Sequence, residues 1–232
     1  MLTQNARRHG NRIGFVWGEK SWTWREIDAE VSALAAALAA RGIVKGDRIL
    51  VHSKNCAEMF WSMFAAFRLG AVWVPTNFRL MPDEVAYLAT ASGAKVFLCD
   101  GDFPDHAAAV SGPAFTWRIG EGGGFGERSV SAAIAAQIGT VVENAAVDYD
   151  DPCWFFFTSG TTGRSKAAVL THGQMTFVVT NHLADLTPGT TEQDASLVVA
   201  PLSHGAGVHQ LMQAARGAKT ILLPTERFDI TE

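Results

Sequence analysis

No apolar stretch of the chain is long enough to span a bilayer. The most apolar region, Met59 to Pro75, is interrupted by Arg68 and Gly70 and falls short of the ~20 residues a spanning helix needs. Cysteine is scarce: Cys56, Cys99 and Cys153 lie far apart and in no C-x-x-C spacing, which argues against disulfides and zinc and for reduced core thiols in a cytoplasmic protein. Neither sign of charge forms a long run, and 19 basic against 23 acidic residues leave a net charge of -4, so neither nucleic acid nor an anionic membrane is expected as the main partner. Met1 to Gly10 is polar and basic with no apolar stretch behind it, so no secretory segment is expected. The dinucleotide fingerprint is missing as well. Gly120 to Gly126 is rich in glycine, yet no frame of it satisfies G-x-G-x-x-G, and it reads as a flexible surface loop.

A globular core is well supplied, with 48% hydrophobic residues in a chain of 232. Helical and strand-like patterns alternate along it. Thr23 with Glu26 forms a capping box, followed by Ile27, Val31, Leu34 and Leu38 at helical spacing up to Gly42. Arg48 to Val51 reads as a strand. Phe60, Met63, Phe64 and Phe67 line the core face of the next helix, and Ala71 to Val74 is the strand after it. Pro82, with Asp83 and Glu84, opens a helix that ends at Gly93, and Lys95 to Cys99 and Thr116 to Ile119 are further strands. This alternation predicts an α/β fold with mainly parallel sheets flanked by helices. Residues 139–150 read as a connector between an N-terminal α/β lobe, 1–150, and a second lobe, 151–232.

The second lobe opens on Thr158 to Lys166, TSGTTGRSK, set between the apolar runs Trp154 to Phe157 and Ala167 to Leu170. Gly160 and Gly163 let backbone N–H groups face an anion with no Cβ in the way. Thr158, Ser159, Thr161 and Thr162 offer hydroxyl donors, and Lys166 a compact positive charge. A polar hairpin turn needs only two to five such residues, so the stretch reads as a phosphate-holding loop. It differs from the G-x-x-x-x-G-K-[ST] loop, because a strand rather than a helix follows its lysine. Strand, anion-binding loop and strand is the expected order, with Thr171 capping a helix from about His172.

Three stretches together resemble the adenylate-forming superfamily of acyl-CoA and aryl-CoA synthetases. They are the loop itself, Phe67 to Pro75 (FRLGAVWVP), and Ala200 to Gly207 (APLSHGAG). The resemblance implies part of the large N-terminal domain of such an enzyme, which activates a carboxylic acid with ATP and magnesium and passes the acyl group to CoA. Thr158, Ser159, Gly160, Thr161, Thr162, Gly163 and Lys166 would then embrace the β- and γ-phosphates. Lys166 and His204 would be the catalytic residues, His204 standing at the substrate carboxylate or gating the acyl pocket, although by position alone, before Gly205, His204 also reads as a turn or helix-start residue; His209, five residues on and not at metal spacing, reads as structural. Ser203-His204 replaces the Asp that amino-acid-activating relatives carry, which favours a fatty or aryl acid without an α-ammonium group. Two positions depart from the family pattern: Ser165 stands where Pro is usual, and Ala167 where Gly is usual. A second copy of the chain, in a homodimer, is admitted as a partner. The magnesium ligand, the ribose-binding acid, the hinge and a catalytic lysine would lie beyond Glu232, and Asp229 to Glu232 reads as a helix start. A fragment inactive by itself is therefore expected. A short homologue that binds nucleotide or acyl ligand without catalysis, and a phosphotransferase, are the alternative readings.

Overall fold

The computed structural model describes residues 1–158 and 164–224. After helix α1 (Leu2–Arg8), strands β1 (Ile13–Trp17) and β2 (Lys20–Thr23) run up to the expected capping box, in which the Thr23 hydroxyl accepts the Glu26 amide and the Glu26 carboxylate accepts the Thr23 amide. Helix α2 (Trp24–Ala40) then buries Ile27, Val31, Leu34 and Leu38, the positions its periodicity marks.

Strand and helix alternate from there. Strand β3 (Arg48–His52) leads to α3 (Ala57–Leu69), β4 (Val72–Pro75), α4 (Pro82–Ser92), β5 (Val96–Asp100), α5 (Pro104–Ala109), β6 (Phe115–Ile119), β7 (Arg128–Ser129) and α6 (Val130–Ala135). Phe60, Met63 and Phe64 of α3 are buried and Phe67 packs against them. Gly70 closes α3 at a φ of 65°, a left-handed cap that costs any residue with a Cβ. The chain continues through β8 (Pro152–Thr158), β9 (Lys166–Thr171), α7 (His172–Asn181), a π-helical turn over His182–Leu186, β10 (Ala195–Val198), α8 (Gly205–Arg216) and β11 (Lys219–Leu222). Thr171 caps α7 as expected, in a second capping box with Gln174.

Two sheets result. The larger has seven strands in the order β7-β6-β5-β3-β4-β8-β9, all parallel except for the final antiparallel pair. The smaller has four, in the order β10-β11-β1-β2, with β1 parallel to β11 and antiparallel to β2. The α/β architecture with mainly parallel sheets is thus present. The boundary at residue 150 divides neither sheet, because β8 adds to β4 in the larger and β10 and β11 join β1 in the smaller. Segments 1–150 and 151–232 are interleaved rather than set side by side. Short strands complete a sheet wherever their edges meet, whatever their distance along the chain. The connector is long because it must cross from α6, beside β6 and β7, to β8 beyond β4. It is tied down on the way: Ser32 Oγ accepts the Val142 amide, the Arg68 carbonyl accepts the Ala145 amide, and Lys45 Nζ donates to the Ala146 carbonyl.

The sheet faces share out the core. Helices α2 and α3 cover Ile49, Val51, Trp73, Val96 and Leu98, while α4 covers Leu50, Val72, Val74 and Phe97 on the other side. All three cysteines are buried free thiols. Burial pushes the thiols of Cys56 and Cys153 up to about 12 and raises that of Cys99 as well, so they act as core residues and not as nucleophiles. No helix among the described residues is long and apolar enough to cross a membrane.

Candidate phosphate-binding site

The two expected strands, β8 and β9, pair as an antiparallel hairpin. Its register sets Thr158 opposite Lys166, Phe157 opposite Ala167 and Trp154 opposite Leu170, so the hydroxyl of Thr158 and the ammonium of Lys166 flank the mouth of the loop, both exposed. Ser159, Gly160, Thr161, Thr162 and Gly163, together with the expected helix start at Asp229, lie outside the described residues.

The outgoing strand β8 is fixed by alternation of its apolar run. Trp154 is fully buried and meets Trp73 of β4 edge to face, with ring centroids 4.6 Å apart. Phe155 and Phe157 point to the opposite face and pack on the α4 side. The returning arm also meets α4. Tyr87 Oη donates to the Ser165 carbonyl at 3.2 Å, and the Arg164 guanidinium stands 5.3 Å from the centre of the Tyr87 ring.

His204 reaches the hairpin from the other face. It precedes the first turn of α8 and sets its ring edge-on to Phe156, centroids 5.4 Å apart. Gly207 makes this approach feasible, since a Cβ there would sit 2.1 Å from the Leu202 carbonyl oxygen and 3.0 Å from the Trp154 ring. Asn55, in the loop after β3, holds the preceding segment by accepting the Leu202 amide at 2.8 Å and donating to the Ala200 carbonyl at 3.0 Å. Thr158 and Lys166 thus pair at the end of β8, and His204 meets the same strand at Phe156, two residues earlier. Asn55 and Tyr87 escaped the sequence reading; for Asn55 the available signal was its place at the carboxyl end of a parallel strand, where open α/β sheets bind ligands. His209 lies ring to ring with His182, centroids 5.2 Å apart. No three His, Cys, Asp or Glu side chains form a metal cluster among the described residues.

A cavity of about 960 Å³ opens beside this segment, with Lys54, Asn55, Glu58, Trp61, Arg79 and Pro201 in its walls. Burial raises the carboxyl of Glu58 above its ordinary value, and the Gly120 amide that it accepts opposes the rise. Glu30, on the same cavity, is raised by burial too. Neither Lys166 nor His204 lines this space.

At the end of β3, His52 is fully buried and stacked on His106, ring centroids 4.4 Å apart. Thr76 Oγ1 donates to the Val51 carbonyl and lies 2.6 Å from His52 Nδ1, and Nε2 is buried without a partner among the described residues. Burial and the neighbouring His106 pull His52 from 6.5 down to about 3. The unfolded chain then binds a proton that the folded one refuses, so stability should fall as pH drops below about 6.5 and keep falling toward 3. Between pH 7 and pH 5 the loss from this residue is about 2 kcal/mol. Urea midpoints at the two pH values, for the parent and for His52→Asn, measure it; an equal acid loss in both proteins would remove the assignment.

The chain as a whole is similar to known proteins. Residues 2–232 match the family model described as AMP-binding enzyme. The chain is 33% identical over 221 residues to feruloyl-CoA synthase of Amycolatopsis sp, an alignment spanning 94% of this chain and 42% of that one. In structure it is similar to O-succinylbenzoate coenzyme A synthetase from Bacillus subtilis in complex with ATP and magnesium ion, with a TM-score of 0.79, 26% identity and coverage of 99% of this chain and 58% of that one. The fold also matches that of an anthranilate CoA ligase in complex with anthranoyl-AMP, with a TM-score of 0.88, 24% identity and coverage of 97% of this chain and 44% of that one. The chain thus spans less than half the length of the feruloyl-CoA synthase.

Proposed function

The chain belongs to the AMP-binding enzyme family, and from that footing we propose that it carries the pyrophosphate grip of an ATP-dependent acid–thiol ligase. The observation that carries this reading is the hairpin, with Thr158 and Lys166 paired across the mouth of a loop of hydroxyls and glycines. In the proposed reaction a carboxylate oxygen attacks the α-phosphorus of ATP and the bond to the β-phosphate breaks. Pyrophosphate leaves, and the thiol of CoA then displaces AMP from the acyl carbon. The leaving pyrophosphate gathers negative charge. The Lys166 ammonium, the Thr158 hydroxyl and the loop donors from Ser159 to Gly163 stabilise it most as the bond breaks. His204, whose ring lies edge-on to Phe156, is the residue we assign to the acid. Magnesium would screen the phosphates; no cluster of ligands among the described residues offers it a site.

The acid we propose is aromatic. Ser203-His204 provides no carboxylate for an α-ammonium group, and the 33% identical relative is named for a feruloyl substrate. A pyrophosphate-release assay on the full-length protein, with hydroxycinnamic and benzoic acids, long-chain fatty acids and amino acids, tests this. Aromatic acids should exceed the others in kcat/KM by about tenfold or more, and a preference for fatty or amino acids would displace the reading. Residues 1–232 alone should release no pyrophosphate with any acid, and turnover by them would overturn the assignment of the remaining machinery to further sequence.

A further inference from the structure

We propose that Tyr87 is a positioning residue for the phosphate loop, holding its return arm on α4. This inference rests on the hairpin being the phosphate grip. One side chain makes two contacts of different kinds with the two residues that directly precede Lys166. Its hydroxyl donates to the Ser165 carbonyl at 3.2 Å, and its ring faces the Arg164 guanidinium at 5.3 Å.

The two arms of the hairpin differ in how they are held, which is why such an anchor matters. Strand β8 is locked by Trp154 in the core and by Phe155 and Phe157 against the α4 side. Among the described residues strand β9 is the outermost strand of its sheet, and Lys166, Ala167, Ala168 and Val169 are all exposed. Its side chains therefore bury little, and the ladder to β8 fixes its register without fixing the arm beyond it. Ser165 leaves φ free at the point where the chain turns into Lys166. Helix α4 supplies the missing rigidity. It starts on Pro82, with Asp83 and Glu84 in its first turn, and buries Val85, Leu88 and Ala89. Tyr87, on the same helix, packs its ring at the edge of that cluster and so carries the stiffness of the core out to the loop. A loop whose return arm swings freely must be ordered by the incoming phosphates, and that ordering cost weakens binding. With the arm held, Lys166 already stands opposite Thr158 when the nucleotide arrives.

The test is nucleotide affinity in the full-length protein, measured as Kd for ATP with magnesium and for AMP, beside the thermal midpoint. Tyr87→Phe keeps the ring and removes the hydroxyl; it should weaken ATP about fivefold, the worth of one neutral hydrogen bond, and leave AMP affinity and the midpoint unchanged. Arg164→Gln should cost ATP a further two- to fivefold, roughly the worth of a partly exposed cation–π contact. Tyr87→Leu, which removes both contacts, should approach the product of the two. A purely structural role for Tyr87 would lower the midpoint and weaken ATP and AMP together, and either that pattern or an unchanged ATP Kd in Tyr87→Phe overturns the proposal. Lys166→Ala separates the two levels of the reading. If it weakens ATP while Tyr87→Phe does not, only the anchor falls; if it leaves ATP unchanged, the hairpin is not the phosphate grip.

Discussion

Alanine at Lys166 is expected to slow acyl-adenylate formation in the full-length protein about a hundredfold, the loss that follows removal of one preorganised donor from a developing anion. The lysine opens β9 directly across from Thr158, and its side chain is exposed at the mouth of the loop. No core packing is lost with it, so the thermal midpoint should not move. Exchange of labelled pyrophosphate into ATP isolates the adenylation step. Transfer from preformed acyl-adenylate to CoA, in which no pyrophosphate leaves, should be untouched. A variant that exchanges pyrophosphate at the parent rate would mean that this ammonium does not face the leaving group.

The largest effect on stability is expected at Arg68. Its guanidinium is 4% exposed and forms an ion pair with Asp28 of α2, with a further bond to the Asp28 carbonyl and another to the Thr3 hydroxyl of α1. Three helices are thereby joined through one side chain. Arg68→Ala leaves the Asp28 carboxylate, 23% exposed, without its counterion, and should cost about 3 kcal/mol, the low end for a buried pair because Asp28 keeps some contact with water. Arg68→Met with Asp28→Asn removes both charges, fills most of the space and should recover the greater part of that loss. Chemical denaturation of the three proteins gives the comparison. A double variant as unstable as Arg68→Ala would show that packing, and not the stranded charge, sets the cost.

What could be read in the sequence was mostly local. Thr23 with Glu26, and Pro82 with its acidic neighbours, mark helix starts because capping depends on residues three or four apart. The period of Ile27, Val31, Leu34 and Leu38 names a buried face for the same reason. Strands β1, β2, β10 and β11 were not legible. They are four or five residues long, and their partners lie far along the chain, β1 finding β11 with Phe15 opposite Thr220. The interleaving of the two segments follows from those pairings and has no local signature. At the site, the loop announced its own chemistry through composition. Asn55 and Tyr87 carry no motif, since each acts on a segment distant in sequence, 200–202 and 164–165, which only folding brings near.

The four-stranded sheet also constrains how the protein is made. Strand β1 leaves the ribosome early, but its parallel neighbour β11 follows roughly 200 residues later, about ten to forty seconds at ordinary rates of synthesis. During that interval the N-terminal hairpin carries an unpaired edge, with Trp22 and Phe15 beside it. The nascent chain therefore waits with a sticky border, and its first strands reach their final place only after roughly 200 further residues have been made.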